Sequence, residues 1–326
     1  MGHANTSSNS FFIGIEIIFN TQIFNYFILS NNVMNIAVIG SKGLSKDLGK
    51  KGTSSDIILY NTSFQGKNFT FIEPDKYPEK IQTLFQALNM SQFAILYITR
   101  ELEKSMLGEC ILSLDMLGKQ GIIVLEEVTQ EEIKPFLFGT ILDKYPMIGK
   151  EIPEIMKHFF DFQIECPSEP KVVIDHSFVV KSVGLVLLGT VVSGEVKKHD
   201  TLKIYPANKE VSIKSIQIND KDVETAFCYD RVGLCVKGIE LQDVERGSVI
   251  AKNAKTAKTL DVRIIKNKFY KDDVPSNVMC MVGLQYVNAK FSEGKLDFGK
   301  EIVIDDEKIV ILTPDKKMRI YGLAEY

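Results

Sequence analysis

Two lysines, Lys42 and Lys46, stand among glycines and small polar residues in VIGSKGLSKDLGKKGTSSD (residues 38–56), directly after an apolar run. The backbone N–H groups of such a loop can wrap phosphate, and the ammonium groups neutralise it. The stretch therefore has the outline of a phosphate-binding loop, with an irregular spelling. A second group, Glu126, Glu127, Glu131 and Glu132 in EEVTQEE, has the adjacent carboxylates of an acid–base site, but a charge run of this kind reads as a solvated loop. A third is Asp230–Arg231 in DRVGL, a charged pair at a strand start, on a surface or in a pocket. The five cysteines, Cys110, Cys166, Cys228, Cys235 and Cys280, show no CxxC pair, and the four histidines are scattered. No metal site is expected, and the odd, dispersed set implies reduced thiols in a cytosol.

These residues sit on a chain whose pattern changes twice. From residue 34 to 165 short apolar strands alternate with helices: NIAVIG, DIILYN, NFTFIE, FAILYIT and GIIVLEEV read as strands. KIQTLFQALNMS, with Ile81, Leu84, Phe85 and Leu88 at helical spacing, and GECILSLDMLGKQ read as helices. Such alternation predicts a mostly parallel, doubly wound sheet covered on both faces. CPSEP (166–170) looks like a linker. Beyond it lie short strands separated by turns, with almost no helical periodicity, which predicts a small antiparallel barrel over 166–256. KNAKTAK (252–258) marks the next boundary, and 257–326 reads as a second, smaller barrel. The expected fold is thus multidomain α/β plus β.

Net charge is −3, so no global basic field would hold nucleic acid, and no DNA partner is expected. Residues 1–165 carry 14 Lys+Arg against 19 Asp+Glu, and residues 166–326 carry 25 against 23. Any RNA contact should use local patches of the second half. The first 33 residues differ from the rest. FFIGIEIIFNTQIFNYFIL (11–29) is apolar, but Glu16, Asn20, Gln22 and Asn25 interrupt it, and it has neither a basic flank nor a cleavage site. It reads as a mis-assigned extension before a natural start at Met34, not as a membrane anchor.

VVIDHSFVVKSVGLVLLGTVVSGEVKKHDTLKIYP (172–206) and IKSIQINDKDVETAFCYDRVGLCVKGIELQDVERGSVIAK (213–252) have a distinctive grammar. Asp175, Phe178, Lys181, Gly184, GTV at 189–191, Ser193–Gly194, Asp200, SIQ at 215–217, DRVGL at 230–234 and ERG at 245–247 follow in order. The stretches resemble the second domain of the translational GTPases, the family of elongation factor Tu, and in particular the selenocysteine-specific factors and their archaeal relatives. The last 70 or so residues resemble the family's third domain less clearly. The resemblance implies cytoplasmic translation and a P-loop-NTPase-like first domain. Its implied partners are tRNA, the ribosome or another translation factor. It also implies an aminoacyl-tRNA pocket at Asp175, His176 and Arg231, with His176 where bacterial members typically have Arg. The plain alternative is a solvent-exposed Asp230–Arg231 ion pair that positions a turn.

The same resemblance aligns the opening loop with GxxxxGK[ST]. Gly40 takes the first position, Ser45 the second glycine, Lys46 the lysine and Asp47 the Ser/Thr. Ser45 would have to adopt a backbone shape suited to glycine, at a cost of about 1–2 kcal/mol. Asp47 would repel phosphate. In FIEPDKYPEKI, Glu73, Lys76 and Tyr77 replace the Asp, Gly and His of DxPGH, and Glu126, Glu127 and Thr129 stand in the guanine-reading [NT]KxD segment. The loop, the DxPGH segment and the base-reading segment fail together, which predicts a degenerate, non-hydrolysing GTPase-like domain, with GTP and Mg²⁺ bound only if the loop still holds phosphate. No catalytic residue is expected. Two other readings remain. In one, an atypical GTPase uses Lys42 and Lys46 for phosphate and Asp47 for Mg²⁺. In the other, the chain is a protein–protein scaffold without RNA contact.

Overall fold

A computed structural model describes residues 26–27, 33–160, 162, 166–305 and 308–326 of the chain. The apolar stretch 11–29 therefore falls largely outside the described residues, while Met34 lies in the first strand of the α/β unit. Of that region Tyr26–Phe27 is placed, its backbone paired antiparallel to Cys166–Pro167.

The first unit is a seven-stranded sheet in the order 50–54, 58–64, 67–73, 33–40, 93–98, 120–125, 147–148. The strands 33–40, 67–73, 93–98, 120–125 and 147–148 run parallel. Strand 58–64 runs antiparallel to both its neighbours, 50–54 and 67–73, and is joined to the latter by a tight turn with Gln65 and Gly66 at positive φ. Val33–Gly40 is almost wholly buried because helices cover both its faces. Helices Ile81–Asn89 and Lys104–Leu117 bury one face against Ile39, Leu96 and Ile123, and Ile152–Phe160 covers the other against Ile36, Ile95 and Val124. The carboxylates of EEVTQEE take a structural role. Thr129 and Glu132 form a reciprocal capping box that starts helix Gln130–Leu137.

The middle unit is a closed antiparallel barrel. Strands 201–205, 249–251, 171–180, 184–193, 231–237 and 209–218 pair in turn, and 201–205 also pairs with 209–218 to complete the ring. Its apolar interior includes Val172, Leu187, Ile204, Ile213 and Leu234. The hairpin bend at Gly194 needs glycine: φ is +62°, and a Cβ would lie 2.5 Å from the Ser168 carbonyl oxygen.

The last sheet runs 256–261, 295–303, 285–292, 277–282, 309–312, 320–325, 263–266. Its two edges, Thr256–Asp261 and Arg263–Lys266, are successive stretches of one chain with Val262 between them. One extended segment thus pairs with both ends of the sheet, which curls into a half-closed barrel. The α/β unit followed by two antiparallel barrels is the fold that the alternation and turn pattern predict.

The expectation of five reduced thiols is corrected. Cys166 and Cys228 form a disulfide, with Cα atoms 6.2 Å apart, and Cys110, Cys235 and Cys280 are free and buried. The two partners are 62 residues apart in sequence. They meet because the linker is sewn onto the barrel: Gly194 N–H donates to the Pro167 carbonyl at 2.7 Å, and the Ser193 hydroxyl donates to Glu169 O at 2.6 Å. No sequence spacing announces such a meeting.

Candidate functional site

In open α/β sheets ligands bind beyond the carboxyl ends of the strands, at the point where strand order reverses. Here that point lies after Gly40, since neighbouring strands 67–73 and 93–98 leave on opposite sides of 33–40. The loop 40–49 occupies it. Gly40 has φ +96°, and Ser41 N–H donates to the Tyr97 carbonyl at 2.8 Å. The Ser41 and Thr99 hydroxyls lie 3.0 Å apart and close this end of the crevice.

The loop then departs from the expected register. The second positive φ falls at Gly43, +112°, and not at Ser45, which is helical. The chain turns two residues early, so Lys46 lies within helix Leu44–Leu48 instead of preceding a helix. Backbone strain at Ser45, expected from the alignment, is absent for this reason. The helix has five residues, ends at Gly49, and leads at once into the edge strand. Ser45 is fully buried, and its hydroxyl has no hydrogen-bond partner among the described residues.

Several polar side chains around the crevice are paired. Lys42 Nζ donates to the Asp75 carbonyl at 2.7 Å. Lys150 Nζ bridges Asp47 at 3.3 Å and Glu126 at 3.2 Å, and the Tyr97 hydroxyl donates to Glu126. The bond from Tyr97, then the one from Lys150, holds the Glu126 carboxyl below its ordinary range. The bond to Glu126 pushes Lys150 up. Burial first, and the bond to Glu126 second, push the Tyr97 phenol up to about 12. Asp47 thus faces an ammonium supplied by its own chain, after strand 147–148. Beside this network a cleft of about 440 Å³ is lined by Lys42, Lys46, Lys51, Tyr60, Glu73 and Asp75. Glu73 is 5% exposed, and its Oε2 has no hydrogen-bond partner among the described residues.

Tyr77, at the position of the water-positioning histidine, does not face this crevice. It is buried, with its hydroxyl 2.9 Å from Glu109 Oε2. Glu127 takes positive φ, and its carbonyl accepts from Arg100 Nη2 at 2.8 Å. Thr129 is spent on the helix cap.

On the barrel the structure brings Asp175 and Arg231 together but not His176. Arg231 Nη2 donates to Asp175 Oδ1 at 2.9 Å, and Nη1 lies 2.5 Å from Oδ2. The register of 171–180 against 184–193 slips between Ile174 and His176, leaving Asp175 as a bulged residue. Ile174 and Asp175 are both buried in consequence, and His176 turns outward beside Phe178, ring centroids 5.8 Å apart. The alternative Asp230–Arg231 pair does not form. Asp230 accepts from Phe227 N–H at 2.8 Å and is largely desolvated, which pushes its carboxyl up. Asp175 also lines a cavity of about 260 Å³ where all three units meet, with Asn89 and Gln92 from the first, Thr190 and Tyr229 from the second and Gly283 from the third. Arg246 spans the same junction, donating to the Asp175 carbonyl at 3.0 Å and to Gln86 Oε1 at 3.2 Å. Gln86 and Glu109 were not singled out from the sequence. The one legible signal was Glu109, a charge inside the apolar run GECILSL.

Among the described residues no group of His, Cys, Asp and Glu is placed to hold a metal ion, and no helix is long and apolar enough to cross a membrane.

Residues 184–251 match the model of elongation factor Tu domain 2. The chain is 35% identical over 297 residues to an uncharacterized protein of Methanocaldococcus jannaschii, covering 87% of this chain and 96% of that one. It is 29% identical over 317 residues to the selenocysteine-specific elongation factor of the same organism, covering 88% and 67% respectively. Among solved structures, translation elongation factor SelB from Methanococcus maripaludis in complex with the GTP analogue GPPNHP superposes with TM-score 0.73 at 22% identity, over 90% of this chain and 79% of that one. The chain belongs to the translational GTPase superfamily. Within it, its relatives place it among the elongation factor-like proteins, with the M. jannaschii protein a match over nearly its full length.

Proposed function

We propose that this chain is an elongation factor-like binding protein whose GTPase-like unit neither binds nor hydrolyses GTP, and that it engages aminoacyl-tRNA, the ribosome or another translation factor. The observation that carries this reading is the self-paired crevice. Asp47 and Glu126, which stand at the metal-holding and guanine-reading positions that the resemblance implies, are both tied to Lys150, and Glu126 also accepts from Tyr97. The five-residue helix supports it, since it offers no extended run of N–H groups to phosphate. The buried Tyr77 supports it too, since its hydroxyl cannot reach a water in the crevice. These residues do not fit GTP with Mg²⁺: the hydroxyl that would hold the metal is replaced by Asp47, already bound to Lys150. The lysine-lined cleft favours a second reading, an atypical nucleotide binder.

In this account the chain acts in the cytoplasm beside the translation machinery. The Cys166–Cys228 bond lies there among reduced thiols, and the burial of both sulfurs shields it. Filter binding of aminoacylated tRNA over a range of salt tests the partner class. Affinity that falls steeply with salt is expected, because phosphate contacts release counterions. Equal, salt-insensitive retention of tRNA and of a neutral control would instead support a protein scaffold.

A further inference from the structure

Units of one chain move relative to each other by default unless a large apolar interface joins them. Here the core beneath helices 81–89 and 104–117 runs into the last barrel. Met281, Val310, Leu312 and Ile320, each at most 1% exposed, pack in one cluster with Leu84, Leu88 and Leu114. At its edge Arg319 crosses into the α/β unit. Its Nε donates to Glu109 Oε1 at 2.7 Å, Nη2 to Glu109 Oε2 at 2.5 Å and Nη1 to the Pro78 carbonyl at 2.5 Å. The guanidinium lies 5.8 Å from the Tyr77 ring centroid, and the Tyr77 hydroxyl meets the same carboxylate. Helix 81–89 is held further: Gln86 donates to Leu284 O at 3.1 Å and Asn89 to Gly283 O at 2.7 Å. Lys308 Nζ donates to Met116 O at 2.9 Å across the same interface.

We propose that the Tyr77–Glu109–Arg319 clamp, set at the rim of this continuous core, holds the α/β unit and the last barrel in a single arrangement that nucleotide does not change. A ligand shifts a conformational equilibrium only by its differential affinity for the two states. Moving segment 74–89 would take the Tyr77 hydroxyl from Glu109 and the Pro78 carbonyl from Arg319, and would open apolar surface. Tyr77, which replaces the histidine of DxPGH, is here part of the bolt. The clamp is independent of the nucleotide reading, since a chain that bound GTP tightly would keep the same arrangement.

Hydrogen exchange of the full chain, with and without a GTP analogue and Mg²⁺, tests this. Peptides covering 81–89 and 309–312 should exchange at rates within about twofold with and without analogue, and about tenfold or more faster in Arg319→Ala. Tyr77→Phe should give a smaller acceleration. A change beyond that range in wild type on adding analogue, or an Arg319→Ala rate matching wild type, overturns the proposal. If Arg319→Ala does not fold, Arg319→Lys keeps the charge without the paired geometry. Rates matching wild type in both Arg319→Lys and Tyr77→Phe then overturn it equally.

Discussion

Alanine at position 40 is expected to destabilise the α/β unit by about 2–5 kcal/mol, through backbone strain and overpacking together. Gly40 has φ +96°, and its added Cβ would lie 2.3 Å from the Tyr97 carbonyl oxygen. That oxygen belongs to the neighbouring strand and accepts from Ser41 N–H, so it cannot retreat without breaking the turn. Gly43 is the control. Its φ is +112°, yet nothing lies within 4 Å of an added Cβ. Gly43→Ala should therefore cost only the strain, about 1–2 kcal/mol. Thermal or denaturant unfolding of both variants measures the difference. Equal losses would mean that the close approach to Tyr97 is not what keeps glycine at position 40. In this account the sheet itself requires glycine at position 40.

Arg231→Ala should cost about 3–5 kcal/mol, the expected loss when one partner of a buried charge pair is removed. Asp175 is 8% exposed and sits in a bulge that points it at the guanidinium. Without Arg231 its carboxylate stays buried beside an apolar barrel core. Arg231→Lys should fall between, because an ammonium cannot match two carboxylate oxygens. Replacing both residues by apolar ones of similar volume, Asp175→Leu with Arg231→Met, should recover most of the loss. Unfolding midpoints of the four proteins check this series. A loss under about 0.5 kcal/mol for Arg231→Ala, the size of an ordinary surface change, would show the pair to be solvated.

Much of the fold was legible because its signals are local. Gly184 and Gly194 sit at real bends, and apolar runs such as FAILYIT are buried strands. The phosphate loop was legible as a loop but not in its register. Counting residues from Gly40 assigns the second turn to position 45, while the chain spends its positive φ at Gly43. The resemblance groups His176 with Asp175, but the bulge at Asp175 buries one side chain and turns the other outward. Other features are long-range by nature. Arg319 meets Glu109 across 210 residues, and Cys166 meets Cys228 across 62. Nor does strand spacing reveal that one extended segment, 256–266, closes both edges of the last sheet.

The central claim concerns the crevice at the head of strand 33–40, and calorimetric titration of the chain with GTP and GDP in the presence of Mg²⁺ tests it most directly. The self-paired network of Asp47, Lys150, Glu126 and Tyr97 predicts no heat of binding at high micromolar nucleotide. Micromolar or tighter binding that disappears in Lys46→Ala would contradict the account and show that the loop still holds phosphate.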